Sequence, residues 1–448
     1  PLEYRENTDL LRAYLLSTGK NIYAYENLPS AHSQYGFLYP WLGSKLFSFT
    51  GIQFYPLRLI TALAILPVLG LFIWQGVKTK IAMLDLFLLC GIVYASYLIN
   101  TGNMLAMPNT LGLALFSLSV LAPPLLKFNK TSLVSSCAFS ALGFFTKIYF
   151  GIGALYILLY LLLNKRWSDF RFMLLCLIAT VITALVIIAR LMPTFYETTI
   201  ELSAILANWH LKTLSGQTIY FCRVFFVFIL LIVTCKWLCP RYKIFSRENP
   251  YSLGLVLSII ILLKMGGNDG QFFVYFHHLL IPFLIPLSIG IIGEHNKKNI
   301  VTVLLFLNLL FVYSLCMRHN DLRDIERSFH ELEIKTALLD PNAYLLYNAP
   351  TSYFAIKQKK LPNEQGQVEY LSASSGETHN RYLAQLDSIY ENIRERKYRQ
   401  IFIDELQLVK MAPLFECYSK SATFEIVMYT EIDKTEMWVP NSECHRNK

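Results

Sequence analysis

Residues 57–80 read LRLITALAILPVLGLFIWQGVKTK, a largely apolar run over 57–76, charged only at Arg58, closed by Lys78 and Lys80. An α-helix crosses the hydrocarbon core of a bilayer with about 20 such residues, so this stretch is a membrane span that ends at a basic turn. The same pattern repeats along the chain. Basic clusters recur at Lys127/Lys130, Lys165/Arg166/Arg171, Lys236/Arg241/Lys243/Arg247 and Lys297/Lys298, each after a second apolar stretch. Between them, the turn at 100–108, the junction at Lys147 and the turn at 266–271 carry almost no basic charge. Short cytoplasmic loops keep Lys and Arg, so the alternation sets the orientation. Basic turns lie inside; the segments before Arg58 and after Met317 lie outside.

Ten spans follow, at about 57–76, 81–99, 104–126, 131–146, 149–164, 172–192, 218–239, 251–266, 274–292 and 300–317. The pair 131–164 holds one charge, Lys147, which is read as the meeting point of two short helices. Ten spans that begin outside also end outside. The outward placement of residues 1–56 leads us to expect a further hydrophobic segment before Pro1, making eleven spans with an inside start. The expected architecture is an α-helical polytopic membrane protein with three regions. Residues 1–56 form a first extracytoplasmic loop, 57–317 the transmembrane helical domain, and 318–448 a small extracytoplasmic α/β domain.

Composition agrees with this division. Of 448 residues, 54% are hydrophobic and mean hydropathy is +0.41, only modestly above a soluble domain, because a polar final third dilutes a very apolar beginning. The net charge of +9 sits largely in the inner loops, where orientation and anionic headgroups account for it. No basic–aromatic nucleic-acid motif accompanies it, so nucleic acid is not an expected partner. Nine cysteines occur without CxxC or CxxH pairs, which speaks against a metal cluster. Seven lie in or beside spans as small apolar packing residues. Cys417 and Cys444 could pair in an oxidising compartment.

The tail shows strand–helix–strand order. AYLLYNA near Ala343, QIFID at Gln400 and ATFEIVMYT near Phe424 read as strands. Tyr382, Leu383, Leu386, Ile389, Tyr390 and Ile393 have helical spacing between the first two. It carries no glycine-rich phosphate loop. The outer segment PTFYETTIELSAILANWHLKTLSGQ (193–217) puts Leu202, Ile205, Leu206 and Trp209 on one helical face, which suits a helix on the membrane surface or one packed on the outer domain.

The most informative outer segment is the first, LEYRENTDLLRAYLLSTGKNIYAYENLPSAHSQYGFLYPWL (2–42). Glu3, Glu6 and Asp9 fall in a helix, followed by Gly19 and a loop rich in tyrosine that ends in Tyr35–Gly36 and Tyr39–Pro40. A carboxylate at the mouth of a cavity can take a proton from a hydroxyl nucleophile. Tyrosines beside it can hold sugar rings or sit at headgroup level. A solvated acidic helix start with an aromatic belt has the same composition.

The order acid, helix, Gly-Lys-Asn-Ile-Tyr, then Tyr-Gly-x-Leu-Tyr-Pro resembles the first extracytoplasmic loop of C-type (GT-C) glycosyltransferases, a group that includes protein O-mannosyltransferases and lipid A aminoarabinose transferases. MPNTLGLAL (107–115) is similar to the family's Arg-Pro-Asn/Asp stretch, and Phe145-Thr146-Lys147 to its Thr-Lys pair. The likeness spans roughly the whole chain, though each motif is short. It implies a cell (inner) membrane enzyme that takes a sugar from a polyprenyl-phosphate carrier and passes it to a glycan, lipid or protein acceptor outside the cytoplasm, among membrane lipids and with no organic cofactor. By that resemblance Glu6 is the general base, with Glu3 and Asp9 as neighbours that could replace it.

Two features depart from the family. The second outer loop, NTGNMLAMPNT, offers Asn103 and Asn109 where a second acid often stands, and Met107 where Arg is usual. The missing carboxylate speaks against a divalent metal, whose hard ligands usually include one, and leaves a catalytically inactive scaffold as an alternative. Lys147, an ionisable group at the membrane boundary, is a default functional residue or a snorkelling lysine; the resemblance makes it a phosphate ligand. Arg190 and Arg223 near the outer surface suit phosphate geometry or interfacial anchoring. The turn KMGGNDGQFFVYFHH adds Asp269, His277 and His278. The adjacent histidines point to different helix faces, and either could meet phosphate or sugar hydroxyls at a cavity wall. Tyr35, Tyr39, Asn109 and Asp9 complete the expected substrate-binding set.

A glycolipid transporter or flippase would need midplane charges and paired halves, which these spans lack apart from Lys147. An O-antigen ligase or polymerase would need a large central outer loop rich in Arg and His, whereas 193–217 is short and has the single histidine His210. Sidedness is directly testable. A cysteine placed at Gln34 should react with a membrane-impermeant maleimide added outside intact cells; reaction only after permeabilisation would reverse the topology and dismantle the proposed outer site.

Overall fold

The computed structural model describes residues 4–27, 33, 35–101, 107–205, 207–226, 229, 233, 246–268, 274–293, 302–307, 309–310, 322–339, 344–347, 376–404, 416–427 and 432–441. Two helices precede the bundle: α1 (Tyr4–Ser17) and α2 (Leu38–Thr50). Helix α1 closes in a Schellman turn. Gly19 adopts φ 81°, the Lys20 N–H donates to Leu15 O at 2.9 Å and the Gly19 N–H to Leu16 O at 3.1 Å. A left-handed residue there is cheap only for glycine.

The apolar stretches then form α3 (Phe54–Lys78), α4 (Met83–Thr101), α5 (Asn109–Leu125), α6 (Lys130–Phe144), α7 (Gly153–Leu163), α8 (Trp167–Leu191), α9 (Leu211–Val224), α10 (Pro250–Met265) and α11 (Val274–Gly293). Asn129 caps α6 by accepting from the Ser132 N–H, and Asn249 caps α10, whose first residue is Pro250. Three described helices are long and apolar enough to cross a membrane: Phe54–Lys78, Trp167–Leu191 and Tyr275–Gly293. Shorter apolar helices stand at Met83–Tyr94, Asn109–Leu125, Ile148–Leu163 and Pro250–Met265. The expected span 218–239 is described only at 218–226, 229 and 233, and α9 starts ahead of it at Leu211. The expected final span, 300–317, is described only at 302–307 and 309–310.

Burial separates two kinds of helix. Apolar side chains of α3, α4, α5, α10 and α11 fuse into one core around Phe72, Phe116, Leu279, Ile285 and Ile289. Helix α8 instead exposes Leu175, Ile178, Val181, Ile182, Leu185 and Val186. A contiguous apolar face of that size is unusual on a soluble protein and is the expected surface of a helix facing lipid. A second core joins α1 and α2 to the start of α3 through Leu10, Leu11, Tyr39, Phe47, Phe54 and Leu57, together with Phe145 and Phe195.

The expected break at Lys147 is present. Helix α6 ends at Phe144, Lys147 is extended (φ −148°, ψ 137°), and a 3₁₀ turn at Ile148–Ile152 leads into α7. After α8 the chain forms a π-helical turn, Tyr196–Glu201, continued by Leu202–Ile205. Leu202 is fully buried, while the half-exposed Trp209 caps the 263–268 turn: its indole donates to Leu263 O at 3.1 Å. Of the expected apolar stripe, Leu206 lies outside the described residues.

The tail contains α12 (Leu322–Thr336), β1 (Tyr344–Tyr347), α13 (Gly376–Arg394), β2 (Gln400–Asp404), β3 (Tyr418–Val427) and β4 (Ile432–Pro440). The sheet order is β1-β2-β4-β3, with β1–β2 parallel and the other pairs antiparallel. Ile401 and Ile403 of β2 pack on Ile389 and Ile393 of α13, as the helical spacing requires. Strand β4 was not expected. Its charges Asp433, Lys434 and Glu436 interrupt the set Ile432, Met437 and Trp438, and Glu436 reaches Lys420 across the ladder at 3.1 Å. Cys417 is disulfide-bonded; its expected partner, Cys444, lies outside the described residues.

Candidate functional site

The first outer segment meets the Lys147 junction through its backbone. The Gly36 N–H donates to Thr146 O at 3.1 Å, and the Leu38 N–H to Phe145 O at 3.0 Å. The turn that follows α6 leaves the Phe145 and Thr146 carbonyls open, and the residues that lead into α2 bond to them. Glycine is required at 36 because a Cβ there would overlap the Phe145 carbonyl. Phe37 and Phe145 close the contact, with ring centroids 5.2 Å apart. The Tyr-Gly-x-Leu-Tyr-Pro and Phe-Thr-Lys motifs, more than a hundred positions apart, are therefore two halves of one joint.

This joint places Tyr35 over Lys147. The Lys147 ammonium lies 4.2 Å from the Tyr35 ring centroid, and the Arg12 guanidinium of α1 lies 5.8 Å from the same ring. One aromatic ring thus faces two cations, each attracted to its quadrupole. The Tyr35 carbonyl accepts from the Tyr23 and Ser33 hydroxyls, the latter at 2.9 Å. Burial pushes the Tyr23 phenol upward in pKa, so it remains a donor.

Arg12 is held by Asp9 at 3.1 Å, and both side chains are buried. A buried ion pair is costly to break from one side, at about 3–5 kcal/mol, so this pair fixes the guanidinium. Asp9 is expected from sequence to meet substrate; Arg12 carries no such signal. An Asp–Arg pair at i,i+3 looks like an ordinary helix surface pair, and only its burial beside Tyr35 distinguishes it. Glu6 stands one turn before Asp9 on α1, and its side chain, like Glu3 entirely, lies outside the described residues.

On the other side of Lys147, the Tyr149 hydroxyl and His278 Nδ1 are 2.9 Å apart, and the rings stack with centroids 6.1 Å apart. His278 is fully buried on α11 and feels the charge of Lys147. His277, equally buried, faces Phe225 at 5.7 Å rather than Tyr149. The adjacent histidines therefore diverge, as their spacing requires, and His278 is the one that joins the cluster. Asn109 begins α5, which packs on the Ile148–Ile152 turn; its side chain is buried and its Oδ1 has no hydrogen-bond partner among the described residues.

One expected site residue is placed differently. Tyr39 is fully buried, with its hydroxyl 2.9 Å from Leu57 O and 3.0 Å from Thr61 Oγ1. The substrate role assigned to it is corrected: the side chain ties α2 to α3 and has no free face to offer. Arg190 and Arg223 are exposed, in the last turns of α8 and α9. Asp269 lies outside the described residues.

No family model matches the chain, and no curated protein matches it in sequence. Solved structures do. ArnT from Cupriavidus metallidurans bound to undecaprenyl phosphate superposes with a TM-score of 0.61 at 11% identity, over 96% of this chain and 93% of that one. The apo state of the same transferase gives 0.59 at 10% identity, over 96% and 92%. The chain has the ArnT fold. ArnT is an aminoarabinose transferase and a GT-C glycosyltransferase, so the architecture implied by the first-loop motifs is the one observed. Coverage of 96% of the chain makes the ArnT likeness one of the whole fold rather than of a single segment.

The joint predicts a sharp effect. Gly36→Ala should cost about 1–3 kcal/mol through forced displacement of backbone, read as a lower melting temperature and faster amide exchange at 145–147. An unchanged melting temperature and unchanged exchange would mean that the two motifs do not meet in this way.

Proposed function

We propose that this chain is an inverting glycosyltransferase that moves a sugar from a polyprenyl-phosphate carrier to an extracytoplasmic acceptor. One observation carries the reading: Lys147 and Arg12, from distant parts of the sequence, converge on a single tyrosine beside an acidic helix, in a fold shared with a transferase crystallised with undecaprenyl phosphate. Two cations held beside one tethered aromatic ring suit a phosphate that arrives and departs. When the carrier binds, its phosphate joins the Tyr35 ring as a partner of both charges.

Glu6 accepts the proton of an acceptor hydroxyl or amine as that nucleophile bonds to the anomeric carbon. The bond from that carbon to the phosphate oxygen breaks, and the phosphate keeps the electron pair. One displacement inverts the anomeric configuration. Lys147 and Arg12 offset the charge growing on the leaving phosphate, where preorganised cations are most effective. Asp9 braces Arg12, which leaves Glu6 as the carboxylate for proton transfer. His278 and Tyr149 orient the inner side of the pocket, and Asn109 presents a buried amide to a sugar hydroxyl. Arg190, Arg223 and Asp269 would meet the acceptor or headgroups farther out. The transferred unit is a hexosyl or pentosyl group, and the acceptor is a glycan, lipid or protein.

Sidedness has support of its own. The disulfide at Cys417 belongs to an oxidising compartment, which fits an extracytoplasmic C-terminal domain on a cell-membrane protein of ten or eleven spans.

Variants at three positions test the roles. Glu6→Gln should lower transfer from a polyprenyl-phosphate sugar by about a hundredfold or more with membrane insertion intact. Asp9→Asn should lower it through loss of the Arg12 brace and also lower the melting temperature. Lys147→Met should weaken carrier binding. A deletion strain should accumulate carrier-linked sugar while a surface glycan loses one residue, both read by mass spectrometry. Full transfer by Glu6→Gln would remove the proposed base.

A further inference from the structure

Glu197 lies on the π-helical turn Tyr196–Glu201, outside the first-loop and Lys147 motifs. One carboxylate oxygen accepts from the Tyr25 hydroxyl at 2.7 Å, and the other from the Thr378 hydroxyl. Tyr25 belongs to the first outer segment; Thr378 is in the first turn of α13, in the C-terminal domain. Arg381, three residues along α13, donates to Tyr25 O at 2.8 Å and lies 6.0 Å from the Tyr25 ring. Glu377 steadies Arg381 at 2.7 Å. The bond to Glu197 chiefly pushes the Tyr25 phenol up to about 12, so it stays a donor at neutral pH. A single carboxylate therefore joins three segments that are far apart in sequence.

The same outer turn grips the first segment at further points. Thr194 donates to Tyr23 O from its N–H at 3.1 Å and from its hydroxyl at 2.8 Å, and the Thr199 hydroxyl donates to Ser33 O at 2.9 Å. Tyr23 and Ser33 are the two residues whose hydroxyls hold the Tyr35 carbonyl. The contacts run from α13 to Glu197 on the outer turn, from Thr194 of that turn to Tyr23, and from Tyr23 to the residue whose ring lies above Lys147.

We infer that Glu197 is a positioning residue that locks the C-terminal domain onto the first outer segment and thereby holds Tyr35 over Lys147. It touches no substrate. Its consequence for carrier binding rests on the proposed transfer function; the lock itself does not.

The test uses the full chain in lipid nanodiscs, with amide exchange by mass spectrometry and binding of undecaprenyl phosphate as separate readouts. Losing a hydrogen bond to a charged group corresponds to about tenfold. Glu197→Gln should speed exchange at 21–27 and 376–381 by about that factor, leave α3 unchanged, and weaken undecaprenyl phosphate binding by a similar amount. Thr378→Val should reproduce the exchange effect, whereas Thr378→Ser, which keeps the hydroxyl, should behave as wild type. If Glu197→Gln does not fold, Thr378→Val decides alone. Unchanged exchange in the folded variants would overturn the lock. Faster exchange with unchanged binding would overturn the positioning role. A wild-type chain that binds no undecaprenyl phosphate would instead count against the proposed transfer function, and the exchange result would still decide the lock.

Discussion

A lysine where two membrane helices meet has to be wet, paired or placed against a ring, because an isolated charge at that depth is expensive. In this chain the solution is a backbone joint. Residues 36–38 bond to the carbonyls of Phe145 and Thr146, and the joint sets Tyr35 over the Lys147 ammonium. The remaining outer structure serves that placement. Helix α1 stops at Gly19 so that the chain can turn back, and Tyr39 pins the next helix to α3. Phe144, Phe145 and Phe195 form the floor on which the loop rests.

The electrostatics of the site follow from the same arrangement. Two cations share one aromatic ring, and each has a further constraint. Arg12 is clamped by buried Asp9, and Lys147 is flanked by the Tyr149–His278 pair. Such an array suits the anion that the proposed function requires: both cations already lie by one ring, and that residue is tethered at its carbonyl by two side-chain hydroxyls. Mutual repulsion of two cations is the cost of that preparation, and the quadrupole of Tyr35 offsets part of it.

How much of this was legible in the sequence depended on whether the signal was local. The helices α3 to α8, α10 and α11 were readable from apolar runs, since hydrophobic length is a property of contiguous residues; α9 was not, because Leu211–Val224 straddles the expected outer segment 193–217 and the expected span 218–239. The break at Lys147 was readable because a lone charge inside an apolar stretch is costly unless a helix ends there. Arg12 was not, because its i,i+3 pairing with Asp9 resembles countless exposed pairs. Tyr39 misled for the converse reason: an outer-loop tyrosine suggests sugar contact, while its burial and its bonds to Leu57 and Thr61 are tertiary facts. Strand β4 escaped because its Asp433, Lys434 and Glu436 hide the alternation. The motif resemblance to GT-C enzymes anticipated the fold that the ArnT structures share at 11% and 10% identity. At that level side-chain identity has largely gone, and what persists is the placement of helices and turns.

The C-terminal domain gains a mechanical reason for its presence. A bundle can hold Lys147 by itself, since α6 and α7 fix both sides of the junction. It cannot so easily hold Tyr35, which stands on a loop whose main ties run outward to Thr194, Thr199 and Glu197. That outer turn follows α8, the least buried of the three long apolar helices, so it too needs an anchor. Thr378 and Arg381 of α13 supply one from the C-terminal domain. The last region of the chain thereby stiffens the first, and the residues between them bring the two ends to the same face.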